Sequence, residues 1–323
     1  MNKKILVVRL GAIGDVVHTT IINQSIKEKY PESQIHFLTS DFIAPLLEND
    51  PNLAKVYRFD NNKKDDFFYL CKLGLIFRRE KFDVIINLSN SFRNQFMIFV
   101  ANPKKIANRN RHRIHAVDAF FNSAKDVFED IEKPENLKLF LSDKTKDLIE
   151  EKTKKFPRPF FVINPGGEND NLRQGRIWSL KNWIDLSNRL IEKHGGTVFI
   201  VGSKGEREYH KELLKINSSV LFSGELRLDE SAALVAAADL FISGDSGPLH
   251  MASALGVKTL GLMGSTTAES CGPYGVKGYA INSIFKCPTG CDKVCQQSQE
   301  SIYKPCMQSI TPEIVFDFIE NNL

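Results

Sequence analysis

Residues 244–250, Gly-Asp-Ser-Gly-Pro-Leu-His, put an acid, a hydroxyl, two glycines and a histidine within seven positions. An apolar strand, Leu240–Ser243, runs into this turn, and Pro248 opens a helix behind it. Proline at the first helical position gives up a donor that would lack a partner there, and glycine lets a backbone come close to a ligand. A strand, a glycine turn and a helix mouth aim N–H groups and the positive dipole end at an anion, usually phosphate. A phosphorylated ligand is therefore expected at this turn. Asp245 reads either as the N-cap of the Pro248 helix, accepting from Gly247 or Leu249, or as a ligand for a divalent cation bridging phosphates. His250 lies on the phosphate side of the first turn, or else faces solvent.

A second glycine turn, Arg9-Leu10-Gly11-Ala12-Ile13-Gly14-Asp15, follows the first strand. It falls short of a dinucleotide fingerprint, because Arg9 stands where the tight turn needs the first glycine. Asp41, just after the second strand, is placed to mimic the ribose-binding acid of a dehydrogenase. Asp15 is either a helix cap or a base facing ligand. Cys287, Cys291, Cys295 and Cys306 follow C-x3-C-x3-C-x10-C. They read as ligands of a structural Zn or Fe ion or as thiols packing a loop. Cys71 and Cys271 read as isolated, buried thiols.

The elements that must hold these turns alternate. The first half reads strand Ile5–Arg9, helix from about Asp15 to Tyr30, strand Ile35–Thr39, short helix Ile43–Glu48 and strand Lys55–Phe59. Helix Phe67–Glu80, strand Val84–Leu88 and helix Phe92–Val100 follow. A charged, proline-punctuated linker, residues 150–159, precedes strand Phe160–Asn164, helix Leu180–Lys193, strand Val198–Gly202, helix Glu206–Lys215 and strand Val220–Ser223. Helix Leu228–Ala238 and the Gly244 turn come next, then strand Thr259–Met263, and helix Pro312–Asn322 closes the chain. Near-continuous apolar strands alternating with helices predict doubly wound parallel sheets with right-handed crossovers. At 323 residues two cores are expected, divided as 1–155 and 156–323, with ligands outside the carboxyl ends of the strands.

Composition narrows the class. The 42% apolar and 25% charged shares are those of an ordinary globular protein. A net charge of +4 gives no case for nucleic acid. No eighteen-residue apolar run and no signal-peptide apolar region occur, so a cytoplasmic protein is expected.

Taken together, RLGAIGDVVHT at the start and GDSGPLHMASALG later resemble glycosyltransferase family 9, the ADP-heptose:lipopolysaccharide heptosyltransferases. Between them, NPGGENDNLRQGRIWSLKNW is similar to that family's central phosphate-binding segment and FIVGSKGERE to its ribose-binding strand and turn. INLSNSFRN is closer to the heptosyltransferase II pattern than to that of heptosyltransferase I. The resemblance implies a GT-B fold, two Rossmann-like doubly wound domains facing across a cleft. The N-terminal domain would bind acceptor and the C-terminal domain the nucleotide sugar, with the final helix able to pack back on the first. It also implies an inverting transfer of heptose from ADP-L-glycero-β-D-manno-heptose to the inner core of lipopolysaccharide or lipooligosaccharide.

On this resemblance Asp15 is the general base. Gly14, Gly166, Gly167, Arg176, Gly202, Glu206, Asp245, Ser246, Gly247 and His250 hold the donor, Arg176 at the phosphates and Glu206 at the ribose. His18, Asn90, Ser91, Arg93 and Arg113 face the acceptor, within a basic run that includes Lys104, Lys105, Arg109, Arg111, His112 and His115. No cofactor is required, and a divalent cation at Asp245 stays open. The basic run reads either as an ordinary solvated surface or as a patch suited to acidic, phosphorylated sugars and an anionic leaflet, at about 1 kcal/mol per residue near the surface; on the second reading peripheral contact with the inner membrane is expected. Phe92, Phe96, Phe99, Phe120 and Phe121 are expected in the core, with membrane contact as the alternative. The rival functions are transfer from another nucleotide sugar or to a protein or glycan acceptor, an NAD-dependent oxidoreductase, and a silent nucleotide-binding protein.

Overall fold

The structure, a computed structural model, describes residues 3–89, 91–109, 114–167, 176–287 and 303–323. It divides into two compact units, one ending at Leu141 and the other starting at Ser142.

The first unit carries β1 (Lys4–Val8), α1 (Ile13–Lys29), β2 (Gln34–Ser40), β3 (Leu53–Phe59), α2 (Phe67–Glu80), β4 (Val84–Asn87), α3 (Phe92–Ala101), β5 (Lys105–Asn108) and α4 (Ala116–Lys125). Its strands run in the order β3-β2-β1-β4-β5, all parallel, with Ile5 paired to Ile35 on one side and Val84 on the other. Ile5, Leu6, Val7 and Val8 are fully buried, as a central strand covered on both faces requires. The chain winds outward through β2 and β3, then returns to place β4 on the opposite side of β1. The carboxyl ends of β1 and β4 are therefore the topological switch point, where such sheets bind ligands. Helices α2 and α3 meet at Gly74, where a Cβ would stand 2.7 Å from the Met97 carbonyl oxygen and from Val100 Cβ.

The second unit carries α5 (Asp143–Thr153), β6 (Phe160–Asn164), α6 (Leu180–His194), β7 (Thr197–Ile200), α7 (Arg207–His210), β8 (Ser219–Leu221), α8 (Leu228–Ala236), β9 (Leu240–Gly244), α9 (Gly247–Ala254), β10 (Thr259–Met263), α10 (Ala268–Cys271), β11 (Gly278–Asn282), α11 (Pro305–Gln308) and α12 (Pro312–Asn322). Its six parallel strands run β11-β10-β9-β6-β7-β8, so its switch point lies at the ends of β6 and β9. Trp178 and Trp183 anchor the core edge to face, 5.0 Å between centroids, and the Trp178 indole donates to the Ile310 carbonyl at 2.6 Å.

The unit boundary falls ahead of the proline-rich segment. Helix α5, capped by the Ser142 hydroxyl, reaches α8 of the second unit, with Thr145 Oγ1 3.5 Å from Asp229. The expected linker therefore overlaps a helix. Within the second unit the closing helix α12 packs on α6, where Arg189 pairs with Glu313 at 2.8 Å. The single helix expected over 206–215 is the short turn α7 followed by a 3-10 turn, Lys211–Lys215.

Candidate functional site

Each switch point holds an acid paired with an arginine, the acid buried in the second unit and half-buried in the first. In the second unit, Ser246 rather than Asp245 is the N-cap of α9; its hydroxyl accepts from the Leu249 N–H at 3.4 Å. The reading of Asp245 as a cap is thereby overturned. Its side chain instead sits between Arg176, 3.1 Å from Nη1, and His250, 3.4 Å from Nε2. Asp245 is 7% exposed. Burial by itself would raise its carboxyl, but the His250 contact and the Arg176 charge outweigh burial and hold it below the usual carboxylate range. His250 is buried as well, so it does not face solvent. Gly244 passes so close to the segment leading into α6 that a Cβ there would stand 2.9 Å from the Arg176 carbonyl oxygen.

Beneath this turn lies a polar chain that the sequence reading did not single out. The Ser243 hydroxyl is 2.8 Å from Ser246 Oγ and donates to the Asn164 carbonyl at 3.0 Å. Asn164 in turn donates to the Val201 carbonyl at 3.0 Å. These buried groups tie the ends of β9, β6 and β7 together and fix the mouth of α9. The signal was available: Asn164 and Ser243 each put a polar side chain at the end of an otherwise apolar strand.

Gly166 and Gly167 follow β6 with φ of 74° and 133°, in the region that only glycine enters freely. A Cβ at Gly167 would also lie 2.9 Å from the Tyr209 ring. His210, likewise absent from the expected site, bridges Ser223 Oγ at 2.7 Å and the Gly166 carbonyl at 2.8 Å, and burial lowers its pKa. Gly202 has a packing reason to be glycine: a Cβ would meet His210 Cε1 at 2.6 Å and Glu206 Oε2 at 3.0 Å. Glu206 is buried and accepts from the Ser203 N–H at 2.6 Å. Residues 168–175 of the central phosphate-binding segment lie outside the described residues.

In the first unit the N-cap position of α1 is Ala12, without a side-chain cap. Asp15 therefore lies inside the first turn, where its carboxylate forms an ion pair with Arg9. The alternative reading of Asp15 as a cap fails. Gly14 is buried beside it. Arg9 is itself buried, which lowers its pKa against the opposing pull of Asp15, and it donates from Nη1 to the Leu88 carbonyl at 2.6 Å. One guanidinium thus bridges the ends of β1 and β4. Arg109 stacks on Phe120 at 4.8 Å, and Arg9 lies over the same ring at 5.5 Å.

Of the expected acceptor residues, His18 is buried in α1, its ring edge-on to His115 at 5.9 Å. Ser91 occupies the N-cap position of α3 without capping it. Arg93 is exposed and pairs with Asp65. Lys104 pairs with Asp83 at 2.6 Å. Asn90 and residues 110–113, with Arg111, His112 and Arg113, lie outside the described residues. Phe120 and Phe121 are buried and Phe96 is partly so, but Phe92 and Phe99 point to solvent, which overturns their placement in the core. Cys71 and Cys271 are partly rather than fully buried. Cys306 is buried in α11 and Cys287 is partly buried, while Cys291 and Cys295 lie outside the described residues. Among the described residues no cluster of three or more His, Cys, Asp or Glu is placed to hold a metal ion.

Comparison with known proteins converges on one family. Residues 70–300 match the family described as "Glycosyltransferase family 9 (heptosyltransferase)". Lipopolysaccharide heptosyltransferase 2 of Salmonella typhimurium is 24% identical over 353 residues, covering 99% of this chain and 98% of that one. The solved family 9 glycosyltransferase of Veillonella parvula superposes with a TM-score of 0.85 at 18% identity, covering 99% of this chain and 97% of that one. The ADP-heptose lps heptosyltransferase II of E. coli superposes with a TM-score of 0.81 at 21% identity, covering 98% of each chain. The two parallel-sheet units are those of the GT-B fold.

Proposed function

The chain belongs to glycosyltransferase family 9, and from that premise we propose that it transfers heptose from ADP-L-glycero-β-D-manno-heptose to the inner core of lipopolysaccharide or lipooligosaccharide. The observation that carries this reading is the placement of an acid–cation pair at each topological switch point, Asp15 with Arg9 and Asp245 with Arg176. An inverting transfer is one displacement. The acceptor oxygen forms a bond to the anomeric carbon as the bond to the ADP oxygen breaks, and the acceptor proton passes to Asp15. A positioned carboxylate in that role is worth about 10²–10⁴-fold, and Arg9 fixes where the carboxylate sits.

The departing ADP needs charge stabilisation rather than covalent help. Arg176 offers a permanently charged fork suited to phosphate oxygens, and the N–H groups at Ser246 and Gly247 offer an anion site at the start of α9. His250 and Asp245 hold Arg176 in place until phosphate competes for it. Gly166 and Gly167 bring backbone close to the donor, and Gly202 and Glu206 form the ribose side. On this reading His18, Asn90, Ser91, Arg93 and Arg113 are the residues that bind the acceptor. This chemistry requires no cofactor, so chelation should leave turnover unchanged. The enzyme meets its lipid-borne acceptor as a peripheral protein at the cytoplasmic face of the inner membrane; among the described residues no helix is long and apolar enough to cross one.

The test is incubation with ADP-heptose and truncated core acceptors, followed by mass spectrometry of the lipid. A gain of one heptose with release of ADP supports the reading. Absence of both with every acceptor refutes it. A thermal shift with ADP that UDP and GDP fail to match identifies the donor nucleotide.

A further inference from the structure

Two of the phenylalanines expected in the core, Phe92 and Phe99, turn outward on α3, and Phe68 does so on the adjacent α2. Phe68 is 83% exposed, Phe92 81% and Phe99 80%, with Phe67, Leu75 and Ile106 also about half exposed. Phe68 and Leu75 are seven apart on α2, as are Phe92 and Phe99 on α3, so each pair shares one helix face. The helices touch closely at Gly74, and Phe67 packs on Phe96 at 4.7 Å between centroids, which joins the two faces into one. A soluble monomer rarely leaves so many large apolar side chains together in water.

The charge around this face decides its partner. Between Lys63 and Arg109 the chain carries ten basic and four acidic residues. Lys64, Lys72, Arg78, Arg79 and Lys105 are exposed on or beside α2 and α3. A second copy docked on this face would set those cations against their own kind, whereas an anionic leaflet would neutralise them. Aromatic and cationic side chains on one exposed helical face is the pattern of a protein lying in a bilayer interface. Phe67, Phe68 and Phe92 also stand at the first turns of α2 and α3, just past the carboxyl ends of β3 and β4. These residues thus stand on the carboxyl-end side of the sheet, the side on which Arg9 and Asp15 lie.

We propose that the exposed face of α2 and α3 is the surface by which this protein docks on an anionic bilayer, with Phe68, Phe92 and Phe99 inserted between headgroups. The proposal deepens the transferase reading, since it names the surface that would meet the lipid carrying the acceptor. Cosedimentation with phosphatidylcholine vesicles containing phosphatidylglycerol tests it, comparing the full chain with the triple variant Phe68→Ser, Phe92→Ser, Phe99→Ser. Wild type is expected to partition onto the anionic vesicles, less at high salt, and the triple variant to lose at least about tenfold in partition coefficient. Circular dichroism melting should be unchanged, because the three side chains are already in water; a variant that unfolds is replaced by single substitutions, each expected to lower partition with the fold intact.

Equal partition of variant and wild type overturns the proposal, as does failure of wild type to bind. A wild-type dimer in sedimentation equilibrium that the triple variant abolishes also overturns it, in favour of self-association. Transfer to a deacylated, soluble acceptor separates the two readings. The triple variant should match wild type there. Vesicle binding without any transfer would leave the surface standing and the transferase reading refuted.

Discussion

Replacing Ser246 by alanine tests how the phosphate-side turn of the second unit is built. The hydroxyl caps α9 and reaches Ser243, which in turn reaches the Asn164 carbonyl. One proton assignment satisfies all three: Leu249 N–H donates to Ser246, Ser246 to Ser243, and Ser243 to Asn164. Ser246→Ala removes a cap worth about 1 kcal/mol and leaves the buried Ser243 oxygen without a donor, at about 0.5–1.5 kcal/mol. A 3.4 Å cap hydrogen bond lies at the weak end, so the sum is about 1–2 kcal/mol, or about 3–6 °C in Tm for a unit of this size. The chain has two tryptophans, and both, Trp178 and Trp183, lie in the second unit's core. Tryptophan fluorescence in urea therefore follows that unit alone. Ser246→Thr keeps the hydroxyl and should unfold near the wild-type midpoint. An alanine variant as stable as wild type would refute the assignment of Ser246 as the cap.

Other perturbations have directions fixed by contacts already described. Gly202→Ala should destabilise the second unit by about 1–3 kcal/mol by driving a Cβ against His210 and Glu206, read from the same fluorescence transition. Arg176→Ala should weaken ADP binding by about 1.5–3 kcal/mol, and calorimetry showing undiminished affinity would remove Arg176 from the phosphate site. His36 is buried against Tyr57 and Phe82, and burial, with Lys4 nearby, pushes its pKa down to about 4. The unfolded chain then takes up a proton that the folded one refuses, so stability is full above about pH 6.5 and falls as pH drops toward 4, by about 2–3 kcal/mol. His36→Leu should flatten that slope in urea unfolding monitored by circular dichroism, and an unchanged slope would count against the buried neutral ring.

Much of this architecture is legible from periodicity. The apolar runs around Ile5, Val84, Phe160, Leu240 and Thr259 are central strands, and helix Phe67–Glu80 coincides with its sequence limits. Strand β5, Lys105–Asn108, was hidden because three of its four residues are exposed, so it carries no apolar run and reads as part of a basic cluster. Helix α5 was hidden by its charge: DKTKDLIEEKT has few apolar residues, and its last turn, from Glu150, reads as the start of a linker until the cap at Ser142 is considered. At the site, the glycine turns and their acids could be read from residue type alone. Which group caps which helix could not, because Asp245 and Ser246 are both good N-caps and only the neighbouring Arg176 and His250 draw the acid away. Phe92 and Phe99 defeated a composition rule for a similar reason, since hydrophobicity places a side chain indoors only when the helix face it occupies has a neighbour.

Asp15 carries the chemistry in this account, so a single-turnover comparison of wild type and Asp15→Asn with ADP-heptose and a core acceptor is the most direct test. The amide keeps the shape beside Arg9 and cannot accept the acceptor proton. Heptose transfer should slow by about 10²–10⁴-fold while ADP affinity, measured separately, stays at the wild-type value. Transfer by the variant at the wild-type rate would contradict Asp15 as the base.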